Sequence, residues 1–498
     1  MKIELILLAI ALNMGILYAS SSSFAFTFGK NQNEYSYGVM ETPDGYVLVG
    51  EALLGGGGKT DATAIKLNPM GSLIWYKTYG KNDRDVMRFP FISDDGNYIH
   101  FGYTDFSGII TIRRPTSIKT DPNGNLIWTK AYNISGEFLG VIKHPGEFVA
   151  VGRDYLGNGI LAFLTSDANI RDFKTYSSGS LYGVAPDGFG GFILVGQKNN
   201  NGWIMRVDNS GNVLWSREYG GSNVDIFKEV VVLPPYAYVG GSTQSAGAGN
   251  WDVWILKVDI TDGDVIFSKT YGGTNEDEIR SLMPKGSKIG VLAYTRSWGF
   301  GGAEFWFFEI DLNGNLLASY TYGGNGDDFP QMGKTTSDGG YVLVGYSQTA
   351  AFTSGRAYDH FIVKISAGGF SCINSGSPIP VITDFIPIIS YLAESPTTST
   401  PAFNWISFTS TSPDLDITQV CSPLGGDDEL SVFERYKGIY SINLYGNTLR
   451  ISAYGNEIGV FTVDGRVVIN AVNGLEAKLP RGIYKVKVGR DIHTIVVR

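Results

Sequence analysis

One apolar run ending in glycine returns again and again along this chain, and any fold proposed for it must repeat with that run. Residues 45–50 read Gly-Tyr-Val-Leu-Val-Gly, and variants follow at 96–102, 146–152, 191–196, 236–240 and 340–345. A fainter copy spans 288–294, with Ala293 where the others carry glycine. The markers stand at 50, 102, 152, 196, 240, 293 and 345, so the spacing ranges from 44 to 53 residues. A period of that size marks a repeated supersecondary unit that buries its faces only by stacking on its neighbours.

Each period holds four short apolar segments. In the first they cover 35–41, 46–53, 62–67 and 73–79. The third alternates, as in Ala62-Thr63-Ala64-Ile65-Lys66-Leu67, and the fourth returns as Leu-Ile-Trp75, Leu-Ile-Trp128 and Val-Leu-Trp215. Dipeptides such as Asp44-Gly45, Asn123-Gly124, Ser210-Gly211 and Asn313-Gly314 separate the segments and supply the positive φ of tight turns. Glycine makes up 65 of 498 residues, about twice its usual ~7% share, which suits short strands joined by turns. Helical periodicity is absent. The expectation is an all-β chain whose residues 24–366 form a seven-bladed β-propeller of four-stranded antiparallel blades. The pattern resembles the propeller repeats of exported bacterial and archaeal proteins, which implies the fold but not an activity.

The seventh repeat lacks its fourth segment. After Phe361-Ile-Val-Lys-Ile365 the chain leaves the pattern. The segment from Phe24 to Gly29 matches residues 74–80, so it is expected to pair as the outer strand of the blade built from 328–366 and to close the ring.

The ends carry other signals. Lys2 precedes an apolar stretch over 5–17, and Leu17-Tyr18-Ala19 offers a cleavage point, so 1–19 reads as an export signal. The stretch is shorter than the ~20 residues of a spanning helix, and no stable transmembrane segment is expected after cleavage. Residues 367–426 are rich in Ser, Thr and Pro and read as a linker with some extended structure. Residues 427–498 carry short alternating runs and the Asp464-Gly465 turn, as in a small β-sandwich. Gly459-Val-Phe-Thr-Val-Asp-Gly-Arg466 and Leu479-Pro-Arg-Gly-Ile-Tyr484 resemble the C-terminal sorting domain of type IX secretion substrates. That likeness implies a sorting or anchoring role with the secretion machinery as partner. The family's Pro-Asn-Pro opening is missing, which leaves an immunoglobulin-like terminal module as the alternative.

No catalytic motif stands out. The fourth-strand Trp pattern looks like a quinoprotein repeat, but the two cysteines are far apart and outside the repeats. The four histidines lack metal-ligand spacing, so neither a metal nor a cofactor is expected. A net charge of −9 with no Lys/Arg run argues against nucleic acid. A carboxylate recurs after the strand-ending aromatic, at Glu34, Asp85, Asp225, Asp277 and Asp328. It reads either as a cation-binding ring or as a turn acid that accepts N–H groups in its own loop. Arg113-Arg114, Arg153, Trp298, Phe300 and Arg356 are placed on the same face, where Arg153, Trp298, Phe300 and Arg356 make a possible ligand surface. Trp75, Trp128 and Trp215 read as packing between blades. Cys372 and Cys421 are expected to pair in an oxidising space. The function implied is non-catalytic binding or adhesion, with a glycan or protein ligand. A secreted polysaccharide-degrading or other hydrolytic enzyme, or a structural surface-layer component, is the alternative.

Overall fold

The structure is a computed structural model. It describes residues 23–421, apart from position 31 and short stretches at 54–58, 109–110, 354–356, 370, 374–375, 400, 407–408 and 413–414. Beyond 421 it describes the strands between 435 and 497. The signal-like segment 1–19 lies outside the described residues. Among those described, no helix is long and apolar enough to cross a membrane.

Twenty-eight strands between Phe24 and Ile365 form seven sheets of four, with consecutive strands paired antiparallel. The first strands of successive blades touch one another around a central axis, and Glu34–Thr42 of blade one meets Asp328–Thr335 of blade seven. Second and third strands are sandwiched between neighbouring blades, so both faces are buried. Tyr46, Val47, Leu48 and Val49 are all excluded from solvent. That explains why these segments read as continuous apolar runs.

The repeat markers have a steric cause. A Cβ on Gly50 would stand 1.7 Å from the Tyr35 carbonyl oxygen, and one on Gly345 1.9 Å from that of Phe329. The second strand crosses the first too closely there for a side chain. In blade five the equivalent position is Gly241, not Gly240, since Gly241 pairs with Phe227 as Gly50 pairs with Ser36. The turn acids between third and fourth strands are equally local: Asp121 Oδ1 accepts the N–H groups of Asn123 (2.9 Å) and Asn125 (2.8 Å).

Five blade-to-blade contacts share one polar staple. The fourth-strand tyrosine donates its hydroxyl to a carbonyl in the next blade's last turn: Tyr79 to Gly124 (2.7 Å), Tyr132 to Ala168 (2.8 Å), Tyr176 to Gly211 (2.7 Å), Tyr219 to Gly263 (2.7 Å) and Tyr271 to Gly314 (2.6 Å). The fourth-strand Trp residues pack at the same contacts, with Trp75 Nε1 donating to Pro122 O (3.1 Å) and Trp215 Nε1 to Ile260 O (2.9 Å).

The seventh blade is made from both ends of the propeller. Phe24–Gly29 runs antiparallel to Asp359–Ile365, with Phe26 opposite Ile362. Phe24, Phe26 and Phe28 are buried against Tyr46, Leu48, Val342 and Val344 of blades one and seven. This strand is not the outermost one, because Asp416–Cys421 pairs along its other edge.

That outer strand belongs to a belt. The segment expected to be a linker instead circles the propeller against blade order. Gly376 bridges to Thr321 of blade six. Val381–Asp384 then pairs with blade five, Ile388–Tyr391 with blade four and Thr397–Ser399 with blade three. Phe403–Trp405, Thr409–Thr411 and Asp416–Cys421 follow on blades two, one and seven. Each piece pairs antiparallel with the fourth strand of its blade and covers that edge. Threonine suits such strands, and Thr78 and Thr411 bond across at 2.7 Å. Prolines at 380, 387, 396 and 401 sit just ahead of four of the six strands, where a missing N–H costs nothing. Cys372 packs at the belt's start and is disulfide-bonded. No described cysteine is free. Its expected partner Cys421 closes the belt opposite Ala25, and that side chain lies outside the described residues.

In the C-terminal segment, Tyr440–Tyr445, Thr448–Thr462, Val467–Lys478, Gly482–Val488 and Asp491–Val497 form one antiparallel sheet. A second facing layer is not among its described strands.

Candidate functional site: the channel mouth

Every first strand carries a register shift at the same place, and the extra residue is Tyr37, Arg88, Leu139, Tyr182, Lys228, Arg280 or Gln331. A bulge re-aims the side chain it carries. All seven are half-buried on the innermost strand, beside the axis. The repeat therefore builds a ring of seven channel residues whose chemistry differs blade by blade.

On the side of blades one to three the mouth around this ring is rich in arginine. Glu137 receives Arg153 (2.9 Å), Arg113 (3.0 Å) and Arg88 (3.6 Å). Arg113 also holds Asp105 at 2.7 Å and lies 3.8 Å above the Tyr103 ring. Arg84 grips Glu51 at 2.6 and 2.9 Å, and Tyr37 donates to the same carboxylate at 2.7 Å. The layering decides what a ligand would meet. The Glu137 side chain is 6% exposed and that of Glu51 1%, against 48% for Arg153 and 41% for Arg84. Carboxylates lie underneath and guanidinium groups face solvent. A pocket of about 640 Å³ opens beside them, lined by Arg113, Arg153, Glu137 and Tyr155 among others.

Aromatic rings continue the mouth through blades six, seven and one. Tyr294 lies 5.7 Å from Phe329, Phe329 5.5 Å from Tyr346, and Tyr346 4.8 Å from Tyr35. Arg280 stands 4.8 Å over Tyr294. Glu278 accepts from Lys228 (2.6 Å) and Tyr294 (2.8 Å). Burial alone would raise Glu278, but Lys228 and Arg280 hold it down at about 2. Burial pulls Lys228 down to about 8, and it pushes the adjacent Glu229 up to about 7.

The residues singled out from sequence scatter across the structure. Asp85, Asp225, Asp277 and Asp328 are fully buried behind the mouth and do not converge on it. Asp225 accepts Gly221 N–H (2.8 Å) and Ser245 Oγ (2.9 Å). Asp277 takes Gly273 N–H (2.8 Å) and Ser297 Oγ (2.7 Å), and Asp328 takes Gly324 N–H (2.8 Å) and Thr349 Oγ1 (2.8 Å). Asp85 takes Thr104 Oγ1 (2.7 Å). Each ties its own turn to the second strand. Glu34 occupies the same position in blade one and is buried too. Among the described residues no group of three or more His, Cys, Asp and Glu could hold a metal ion.

Arg153 lines the pocket from the end of a second strand, and Arg113 and Arg114 stand in a third strand rather than a loop. Trp298 is half-buried against Trp306, 5.1 Å between ring centres. Phe300 is 71% exposed but sits on blade six, with at least two blades between it and Arg153. Arg356 lies outside the described residues. Sequence reading missed Tyr37, Arg88, Lys228 and Arg280. A signal was available: each follows the blade's leading position by three residues.

No known family model matches the chain, and no curated protein matches it. Solved structures give a likeness of overall architecture only. The chain is similar to the apocarotenoid oxygenase of Synechocystis at 8% identity and a TM-score of 0.30, covering 81% of this chain and 96% of that one. It is similar to the endosialidase of phage phi92 at 8% identity and a TM-score of 0.30, covering 91% and 88%. PorZ, a surface component of the type IX secretion system of Porphyromonas gingivalis, matches at 10% identity and a TM-score of 0.18, covering 92% and 81%. Likenesses of this strength carry no argument about activity.

Proposed function

We propose that this is an exported, cell-surface binding protein whose channel mouth takes an acidic glycan. The observation that carries this reading is the layering of arginine over buried glutamate beside an arc of aromatic rings. Guanidinium groups offer forked donors to carboxylate or sulfate, and aromatic faces suit the apolar faces of sugar rings. The apolar N-terminal stretch supports export, and residues 427–498 serve sorting or anchoring, as a small β-sandwich, rather than ligand binding. Binding of uronic-acid and neutral oligosaccharides to the full chain is the test. The acidic series should bind, and Arg153→Ala should weaken it by about tenfold or more, as loss of one charge-assisted contact does. Equal binding of neutral and acidic sugars, or binding untouched by Arg153→Ala, defeats the reading.

A further inference from the structure

The wall around the channel mouth is uneven. The connections between second and third strands stand on this face, and they span 244–251, 296–303 and 348–358 in blades five, six and seven. In blade three the connection covers only 155–158 and in blade four only 199–200, shorter than in any other blade. The rim is therefore lowest beside the arginine layer, and a ligand longer than the mouth has a way out there.

The blade-three turn is firmly held, yet its tip is apolar. Asp154 accepts the backbone N–H of Asn158 (2.8 Å) on one carboxylate oxygen and the Asn158 amide (2.9 Å) on the other. Gly157 N–H returns to Asp154 O (3.1 Å), Gly179 N–H meets Gly157 O (2.9 Å), and Tyr155 N–H meets Ser135 O (2.8 Å). Turn tips usually carry small polar residues. This one carries Tyr155 and Leu156, which are 83% and 84% exposed. A fixed backbone thus presents two large side chains to whatever lies over it.

A second cavity, of about 450 Å³, lies across that turn. It shares Ser135, Asp154 and Tyr155 with the pocket of about 640 Å³ at the mouth, so the two adjoin and the turn is the ridge between them. Both volumes fall in the range of small-ligand sites. The outer wall of the second cavity is the belt. Ser399 and Pro401 line it, and Ala402 O accepts Asn133 N–H at 2.7 Å, which ties the belt to the connection leading into blade three. The chemistry changes across the ridge. Arg113 and Arg153 line the mouth side. Among the described residues no Lys, Arg or His lines the outer side, where Asn133, Ser135, Thr175 and Ser399 offer amide and hydroxyl groups. The one charge there is the Asp154 carboxylate, which would repel a second acid.

We propose, on the reading of the mouth as an acidic-glycan site, that the second cavity is a subsite for an uncharged sugar. The ligand is then an extended glycan whose acidic unit sits at the mouth and whose neutral neighbour lies over Tyr155 against the belt. The exposed tyrosine ring suits the apolar face of a sugar, and amides and hydroxyls meet sugar hydroxyls as donors or acceptors. The belt both covers the strand edges and supplies one wall of a binding site.

Binding of oligosaccharides to the full chain separates the two subsites. A tetrasaccharide alternating uronic acid and neutral hexose should bind about tenfold or more tightly than the corresponding disaccharide, and more tightly than a tetrasaccharide of uronic acid alone. Ser399→Ile keeps a strand-forming residue while crowding the outer cavity. It should bring the alternating tetrasaccharide down to the affinity of the disaccharide and leave the disaccharide itself unchanged. Arg153→Ala should weaken both alike. A disaccharide that binds as tightly as the alternating tetrasaccharide overturns the second subsite and leaves the mouth as the whole site. Equal affinity for the two tetrasaccharides overturns it too, because the cavity would then not select an uncharged unit. Failure of every acidic sugar to bind defeats the reading of the mouth and this inference together. Should Ser399→Ile fail to fold, the ratio of tetrasaccharide to disaccharide affinity in the parent chain decides alone.

Discussion

Five contacts between blades are built alike, and two are not. From blade one to blade six each fourth-strand tyrosine reaches a carbonyl in the next blade's turn. At the seam on either side of blade seven the staple is missing. Phe28 stands where the tyrosine would be and has no hydroxyl. Tyr322 has one, but it is buried without a partner, because past Ile365 the chain leaves to begin the belt. The seam relies instead on a strand from the other end of the propeller, on the last strand of the belt, and on a disulfide at Cys372. A ring assembled from local repeats needs its non-local bonds only where the chain enters and leaves, and there they are concentrated.

The largest effect should come from removing the closing strand. Without Phe24–Gly29 blade seven keeps three strands, and the edge of Asp359–Ile365 faces water beside exposed Val342 and Ile362. Each buried phenylalanine is worth about 3–5 kcal/mol when truncated to alanine, and three are lost together. The truncated chain is expected to lose its cooperative thermal transition and to aggregate, as size-exclusion chromatography with calorimetry would show. A cooperative, monomeric truncation would mean that the belt alone can hold the ring.

How much of this was legible depends on distance along the chain. The blades follow from the 44-to-53-residue period because their pairings are between neighbours. The seam could be matched because residues 24–29 copy the segment at 74–80. The belt was not legible. Its strands are three to six residues long, too short to show alternation, and each pairs with a strand far away. Its composition resembles that of a linker, and only the spacing of prolines at 380, 387, 396 and 401 hints at a strand per blade. The channel residues were hidden for another reason. A bulge breaks the two-residue alternation at Tyr37, Arg88 and Arg280, so strand periodicity assigns them to the wrong face.

Reduction of the disulfide comes next. A bond that closes the circuit from Cys372 removes freedom from the unfolded chain, by about 4 kcal/mol for a loop of this length in the entropy model. Reduced protein, or Cys372→Ser, should melt several degrees lower. Proteolysis should then cut first between 377 and 400, where Ile379, Ile386 and Ile388 are exposed. Cleavage within the blades before the belt would separate the latch from the belt it is held to close.

The smallest effect gives the sharpest comparison, because the same substitution is made twice. Tyr219→Phe removes a hydroxyl that donates to Gly263 O at 2.7 Å, and both groups are shut away from water. The carbonyl keeps its burial and loses its partner. The cost should be about 1–2 kcal/mol, the usual range for a buried acceptor left alone. Tyr322→Phe takes the same atom from a residue just as buried, but that hydroxyl has no partner to abandon. Its removal relieves the desolvation of an unpaired polar group, so the folded state should be unchanged or slightly more stable. Urea midpoints of the two variants at one pH measure the difference directly, and the ring contacts of Tyr322 survive in Phe. Equal losses would mean that Tyr322 finds a partner at the seam and that the sixth contact is stapled like the other five.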